Sequence, residues 1–215
     1  MRIDPDLSVL GIVDVQPTFM PGGELAVAEG HLVVPVINRL LAQFHHAFAT
    51  QDWHPAGHHS FATSHPGRQP YDSVQLSYGP QVLWPEHAMA GSTNAAIHPD
   101  IDQTKIELII RKGFRAHLDS YSTFFENDHL THTGLDGWLR QRGFRHVFLA
   151  GLATDFCVAW SAEDAVRLGY EVTVILDACR GIALPTEAGR TTLDDASDRL
   201  AGLGVHFTTS QMLVE

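Results

Sequence analysis

Cysteine, basic residues and long apolar runs are all scarce in this chain of 215 residues. Two cysteines are too few for the disulfide framework of a small secreted protein. Fourteen Lys and Arg stand against 25 Asp and Glu, and the net charge of −11 argues against nucleic acid or an anionic membrane as main partner. No apolar run approaches the roughly 20 residues of a membrane span, and the first residues lack the pattern of a signal peptide. We therefore expect a cytoplasmic location.

The composition is that of a folded globular protein. Hydrophobic residues make up 44% of the chain and charged residues 18%, so disorder is not expected. The length suits one α/β domain with a sizeable core. Because no internal repeat, low-complexity tract or linker interrupts the sequence, we expect a single domain over residues 1–215.

Apolar, strand-like runs alternate with amphipathic, helix-like runs. Strands are predicted at residues 9–15, 48–51, 105–110, 146–151, 171–176 and 205–208, and helices at residues 31–45, 135–142, 156–168 and 185–203. Strands that are apolar on both faces, with helices between them, predict a three-layer α/β/α fold with a central, mostly parallel, Rossmann-like sheet. Two weakly periodic stretches, residues 53–104 and 114–133, are predicted to be long functional loops.

Polar residues follow the predicted strands at the edge where an α/β sheet binds its ligands. Asp14 comes from the first strand, Asp52 and His54 follow the second, Lys112 follows the third, and Cys157 follows the fourth. If the strands are parallel, these side chains meet in one crevice. The sequence therefore predicts an active site there.

Cys157 is the candidate nucleophile of that site. It falls where a strand passes into a helix, and a helix start favours ionisation of a thiol. Asp14 could take the thiol proton and Lys112 could hold Asp14, as general-base activation of a nucleophile requires. The alternatives are that Cys157 is a small core residue and that Asp14 and Lys112 form a structural ion pair.

A second constellation has the spacing of a metal site. In an extended segment the Asp-x-His pattern places Asp52 and His54 on one face, and carboxylate and imidazole are good ligands for Zn²⁺, Fe²⁺ or Mn²⁺. His58 or His59 could add a third ligand and His87 another. The chain has 14 histidines, so coincidence is the alternative interpretation.

The ordered motifs resemble the nicotinamidase/pyrazinamidase family of isochorismatase-like cysteine hydrolases. The resemblance spans residues 9–177 and rests on five segments: Gly11-Ile-Val-Asp14-Val-Gln16 with Phe19 and residues 21–27, Gln51-Asp52-Trp53-His54-Pro55 with His58, Trp84-Pro85-Glu86-His87, Arg111-Lys112-Gly113 with Asp119-Ser120-Tyr121-Ser122, and residues 151–158 around Cys157.

The resemblance implies a role for each matched residue. Its catalytic triad would be Asp14, Lys112 and Cys157. Its metal ligands would be Asp52, His54 and His87, with His58 as a fourth. A cis peptide before Ala153 would let the amides of Ala153 and Cys157 form an oxyanion hole. Substrate contacts would come from Phe19, Trp84 and Tyr121, for which simple core packing is the alternative.

The activity implied is hydrolysis of nicotinamide, and also of pyrazinamide, through a cysteine thioester. The implied cofactor is one divalent metal ion, Zn²⁺ before Fe²⁺ or Mn²⁺, which would hold the ring nitrogen. The implied partner is the small-molecule substrate, without nucleic acid or membrane, and a homo-oligomer is left open. The alternatives are another amidohydrolase of the superfamily, a related enzyme for a vinyl ether, and a catalytically silent binding protein.

The chain departs from the family pattern at two positions. Pro17-Thr18 stands where many members have Asn-Asp, and Ala88 stands where many have Cys. Neither departure removes a triad residue or a proposed metal ligand. Thr18 does put in doubt a carboxylate close to the metal.

Overall fold

A six-stranded parallel sheet forms the centre of the computed structural model, which describes residues 1–214. The spatial order of its strands is β5-β2-β1-β6-β7-β8, and every neighbouring pair is parallel. In chain order the strands are β1 (Ser8–Val13), β2 (Ala47–Asp52), β3 (Ser73–Leu76), β4 (Gly79–Val82), β5 (Leu108–Lys112), β6 (His146–Leu152), β7 (Glu171–Arg180) and β8 (His206–Thr208). Strands β3 and β4 pair antiparallel as a separate hairpin.

Helices cover both faces of the sheet. They are α1 (Val33–Leu41), α2 (Leu135–Arg142), α3 (Ala159–Arg167) and α4 (Thr192–Gly202). Starting from β1, the chain adds β2 and then β5 on one side of the sheet. After β5 it crosses back and adds β6, β7 and β8 in turn on the other side. Right-handed crossovers therefore place α1 on one face and α2, α3 and α4 on the other. The three-layer α/β/α prediction is confirmed.

The core lies between these layers, around the two central strands. All six residues of β1 are buried, as are six of the seven in β6, so both faces of these strands are covered. Helix α1 contributes a buried stripe that includes Val33, Ile37 and Leu40. Each such side chain contributes roughly 1.5–3 kcal/mol relative to an exposed one. The core fixes the strands whose carboxyl ends carry the polar residues.

Three helix predictions are wrong at their starts, and the one at residues 156–168 is described with the site below. The last helix begins at Thr192 rather than at residue 185, because Thr191 caps it: Thr191 Oγ1 accepts from the Asp194 amide and the Asp194 carboxylate accepts from the Thr191 amide. The first α-helix is likewise shorter than the predicted residues 31–45, with a 3₁₀ turn, Gly30–Leu32, before it. The helix predicted at residues 135–142 is confirmed and ends at Gly143.

Two strand predictions are also corrected. The first strand ends at Val13, and Asp14 follows it with φ of 49° instead of continuing the strand. The third strand of the sheet covers Leu108–Lys112 rather than residues 105–110, so Lys112 is its last residue. Both changes leave the polar residues at the carboxyl edge of the sheet.

The predicted loop of residues 53–104 contains the β3–β4 hairpin, which the sequence pattern did not show. Its strands alternate between more and less exposed residues over four positions each, too few for a periodic signal. Among the described residues, no helix is long and apolar enough to cross a membrane.

Candidate active site

Lys112 is the centre of a buried polar cluster at the carboxyl ends of β1, β2, β5 and β6. Its Nζ lies 2.8 Å from Asp14 Oδ2 and 3.4 Å from Cys157 Sγ, and it also donates to Asp52 Oδ1. A fourth contact runs to the Ser120 carbonyl at 2.9 Å. The sheet therefore brings together the four groups that the strand-end argument predicted to meet.

Asp14 is held from β2 as well as by Lys112. Thr50 Oγ1 donates to Asp14 Oδ1 at 2.6 Å and accepts from the Asp14 amide at 3.1 Å. This leaves Asp14 Oδ2 to face Lys112 Nζ, 2.8 Å away, which in turn lies 3.4 Å from the Cys157 sulfur. The carboxylate is fully buried and has a fixed orientation.

Cys157 lies in a π-helical turn, Thr154–Val158, between β6 and α3, rather than in the first turn of the α-helix. The Ala153 carbonyl accepts from the amides of Phe156 and Val158, which fixes the turn. The peptide between Leu152 and Ala153 is cis, as the resemblance implied. Ala153 and Cys157 both line the cavity described below.

The buried environment sets the protonation of the cluster. Burial raises the pKa of the Cys157 thiol well above its ordinary value and outweighs the attraction of Lys112. Burial also raises the pKa of Asp14 against the same attraction. Burial alone would lower the pKa of Lys112, but Asp14 and Asp52 raise it well above its ordinary value. The thiol thus rests protonated, although a helix start favours a thiolate, and a base must remove its proton during reaction.

Asp52, His54 and His87 form a compact set of metal-type ligands. One ligand atom of each lies within 4.8 Å of the others, and all three residues are buried. His54 Nδ1 contacts the Gly113 carbonyl at 2.8 Å and His87 Nδ1 contacts the Pro85 carbonyl at 2.8 Å. A carbonyl only accepts, so each Nδ1 carries the proton and each Nε2 turns a lone pair toward Asp52 Oδ2, 3.5 Å away.

His58 extends this set, whereas His59 does not. His58 is buried, its Nδ1 contacts Ser60 Oγ at 2.7 Å, and its Nε2 has no hydrogen-bond partner among the described residues. Its ring centroid lies 4.3 Å from that of His54. The His59 side chain is exposed to solvent. The structure thus distinguishes the two alternatives that the sequence left open.

Replacement of Gly113 by alanine is expected to weaken metal binding at this cluster by roughly 10-fold or more. Its φ is +64°, and an added Cβ would lie 2.4 Å from His54 Cε1 and 2.7 Å from Nδ1, which would displace the ring. Gly67→Ala is the matched control, because Gly67 has φ of +78° and an added Cβ meets nothing within 4 Å. Chelator competition measures the affinity of both variants, and equal affinities would contradict the expected displacement of His54.

A small cavity, partly open to solvent, joins Cys157 to the metal-type ligands. The three substrate-contact residues predicted from the resemblance, Phe19, Trp84 and Tyr121, all line it. The sequence reasoning missed four further lining residues: Leu25, Asp119, Phe156 and Ile182. The cavity is mostly apolar and aromatic with a few polar groups, as is typical of sites for small molecules.

Aromatic rings are packed edge to face around this cavity. Trp84 contacts Phe156 with ring centroids 4.9 Å apart and donates from Nε1 to Tyr121 Oη at 3.1 Å. Gln81 of β4 donates to the same hydroxyl at 2.9 Å. Phe19 lies against His87, with centroids 5.7 Å apart. These rings serve both as packing and as cavity wall, so the two interpretations of Phe19 and Trp84 are compatible.

Asp155 positions a further wall of the cavity. Its carboxylate accepts from the amides of Ile182 and Ala183 at 2.9 and 2.8 Å and from Thr192 Oγ1 at 2.5 Å. These bonds fix Ile182, which lines the cavity, next to the turn that carries Cys157. The only sequence signal for this positioning role was that an acidic residue, Asp155, stands two positions before Cys157.

The two departures from the family pattern contact each other. Thr18 is fully buried, and its Oγ1 accepts from the Ala88 amide at 3.1 Å. The Ala88 carbonyl in turn accepts from the His54 amide at 3.0 Å. Thr18 therefore supports the segment that carries His87 and the backbone of His54.

The family model for the isochorismatase domain matches residues 8–211. The chain belongs to the isochorismatase family. This match covers the whole sheet and the site at its carboxyl edge.

Relatives within the family carry the resemblance further. A nicotinamidase of Acinetobacter baylyi is 53% identical over 171 residues, which is 80% of this chain and 80% of that protein. A nicotinamidase of Escherichia coli is 45% identical over 80% of this chain and 82% of that protein. The predicted resemblance to nicotinamidases is thus confirmed.

Solved structures agree with these relatives. A nicotinamidase/pyrazinamidase of Acinetobacter baumanii has a TM-score of 0.92 at 48% identity, over 97% of this chain and 99% of that chain. A protein of L. infantum in complex with nicotinate has a TM-score of 0.85 at 34% identity, over 100% and 98%. The pyrazinamidase of Pyrococcus horikoshii in complex with zinc has a TM-score of 0.72 at 28% identity, over 94% and 98%.

Proposed function

We propose that this protein is a nicotinamidase, an amidohydrolase that converts nicotinamide and water to nicotinate and ammonia, and that it also accepts pyrazinamide. The observation that carries the proposal is one cavity lined both by Cys157, which contacts Lys112 and through it Asp14, and by the Asp52–His54–His87 ligand set. The first can cleave an amide and the second can hold an aromatic ring by its nitrogen. The similarity to nicotinamidases supports the same activity.

Cys157 is the nucleophile of this reaction. Asp14 accepts the thiol proton as the sulfur attacks the carboxamide carbon, because its carboxylate and the thiol both lie against Lys112 Nζ and the carboxylate is oriented by Thr50. Lys112, with Nζ 3.4 Å from the sulfur, stabilises the negative charge that develops there. The C–N bond then breaks, and the leaving nitrogen takes the proton from Asp14 to depart as ammonia.

The amides of Ala153 and Cys157 stabilise the oxyanion of each tetrahedral intermediate. A donor of this kind is often worth roughly 3–4 kcal/mol in the transition state. After ammonia leaves, water attacks the thioester and gives its proton to Asp14. The C–S bond breaks, nicotinate is released, and the thiol regains its proton.

The residues around Asp52 fit a divalent metal ion. The Nε2 atoms of His54 and His87 each lie 3.5 Å from Asp52 Oδ2, and their lone pairs repel the carboxylate unless a proton or a metal ion lies between them. Asp52, His54 and His87 would hold the ion, with His58 as a fourth ligand, and we propose Zn²⁺ before Fe²⁺ or Mn²⁺. When bound, the ion supplies a Lewis acid for the pyridine nitrogen.

Phe19 and Trp84 restrict the substrate to a flat ring. With its nitrogen toward Asp52 and the histidines, the ring places its carboxamide beside Cys157. Such fixed orientation removes much of the entropic cost of the attack. The structure thus supports an enzyme that recognises the ring nitrogen as well as the amide.

Ammonia release from nicotinamide, pyrazinamide and benzamide tests this function. Nicotinamide and pyrazinamide are expected to be hydrolysed, and benzamide, which lacks a ring nitrogen, to react with kcat/KM lower by roughly 100-fold. Absence of ammonia from nicotinamide with the metal-loaded protein would refute the nicotinamidase proposal. Comparable hydrolysis of benzamide would refute the role of the ring nitrogen alone. Elemental analysis of the purified protein identifies the metal.

A further inference from the structure

Asp119 is a buried carboxylate in the wall of the cavity that the reaction above does not use. It is 2% exposed and follows the segment that begins at Gly113. Its Oδ2 accepts from Gln81 Nε2 at 2.8 Å and its Oδ1 accepts from the Ser120 amide at 2.9 Å. Both partners are neutral, and no Lys or Arg within the described part of the chain forms an ion pair with it.

A buried carboxylate without a cation is costly. The one buried lysine of the site, Lys112, is already shared by Asp14 and Asp52. Asp119 therefore adds a negative charge beside His54 and His58 that no Lys or Arg of the described residues balances. A divalent cation in the cavity would balance it.

Two histidines show where that cation would lie. Asp119, His54 and His58 each offer one ligand atom, and these atoms lie within 4.8 Å of one another. His54 also belongs to the set with Asp52 and His87, so the two sets share a member. The buried Nε2 of His58, which has no partner among the described residues, is the second sign of a ligand at this place.

We propose that Asp119 is the second carboxylate of the metal centre, next to His54 and His58, and that it strengthens cation binding either as a ligand or through a bound water. The inference rests on the metal centre of the proposed function. Asp119 adds an oxygen donor to a set of imidazoles and one carboxylate. Its loss should therefore affect Mn²⁺, which prefers oxygen ligands, more than Zn²⁺.

The test compares wild type, Asp119→Asn and Asp119→Glu in chelator competition with Zn²⁺ and Mn²⁺. Asparagine removes the charge and keeps one acceptor oxygen, for either the Ser120 amide or the Gln81 side chain. We expect it to weaken Mn²⁺ binding by roughly 10- to 100-fold and Zn²⁺ binding by less, with partial recovery in the glutamate variant. Asp6→Asn, at an exposed position, is the matched control and should bind both ions as wild type does.

Thermal unfolding of the metal-free and metal-loaded proteins separates metal binding from a structural role. Without metal, Asp119→Asn should have a Tm equal to or above that of wild type, because an unpaired buried charge is gone; with metal, its gain in Tm should be smaller. A lower Tm without metal, together with unchanged metal affinity, would overturn the inference and assign Asp119 to loop structure. If the wild type itself gained no Tm from either ion, the metal centre of the proposed function would fail instead.

Discussion

Replacement of Cys157 by alanine is expected to lower kcat for ammonia release from nicotinamide by roughly 10⁴-fold or more. The sulfur is the proposed nucleophile, 3.4 Å from Lys112 Nζ, and alanine leaves no atom that can form the thioester. The fold should tolerate the change, because alanine is smaller and Cys157 already lies in a turn fixed by backbone bonds. Ammonia release and substrate binding are measured on the same preparation.

The second cysteine provides the matched control for that experiment. Cys179 is also buried and unpaired, in β7 next to Gly151 of β6, but it does not line the cavity. Cys179→Ala should therefore keep kcat within about 3-fold of wild type while losing some stability from the small cavity. Activity near wild type in Cys157→Ala, or loss of activity in Cys179→Ala alone, would contradict the assignment of the nucleophile.

Replacement of Lys112 by methionine is expected to abolish activity and to lower the free energy of unfolding of the metal-free protein by roughly 3–5 kcal/mol at about pH 7.5. Methionine fills similar space, but it leaves Asp14 and Asp52 buried beside each other without a cation. Removal of one partner from a buried charge cluster costs more stability than the intact cluster contributes, because the remaining charges stay desolvated and unpaired. Urea denaturation measures the change.

The pH dependence of that loss follows from the carboxylates. Lys112 lowers the pKa of Asp14 and of Asp52 in the folded protein, so both values rise when it is removed. A carboxylate with a raised folded pKa gives stability below its unfolded pKa and loses it as pH rises. The difference between the variant and wild type should therefore shrink toward acid pH. Lys105→Met, at the other lysine of the chain, which is exposed, is the control and should change the free energy of unfolding by less than about 0.5 kcal/mol at any pH. A loss of stability in Lys112→Met that stayed constant with pH would contradict the explanation.

The sequence predicted the catalytic cluster better than it predicted the elements that carry it. Asp14, Asp52, Lys112 and Cys157 needed only the rule that parallel strands end at a shared edge, so errors of a few residues in β1 and β5 did no harm. The turn around Cys157 was predicted as α-helix because its apolar periodicity continues into α3. Periodicity does not distinguish a π-helical turn from the helix that follows it.

The walls of the cavity were harder to predict because they come from the long irregular stretches. Gln81 and Asp119 meet only because the β3–β4 hairpin folds against the segment after Gly113, and no local spacing encodes that contact. Ile182 lines the cavity because its backbone amide donates to Asp155, which lies far from it in the sequence. His87 was predicted from the Trp84-Pro85-Glu86-His87 motif, because its separation from His54 in the sequence does not indicate that the two side chains lie close together.

The ligand set that would hold the ring nitrogen has a consequence for the coenzymes of the cell. In NAD⁺ that nitrogen carries the ribose, so it offers no lone pair and cannot approach Asp52 and the histidines. The carboxamide of the coenzyme is chemically the same as that of the free base, and an enzyme that recognised the amide alone would destroy both. The same residues that would orient the free base would thereby spare the intact redox carrier.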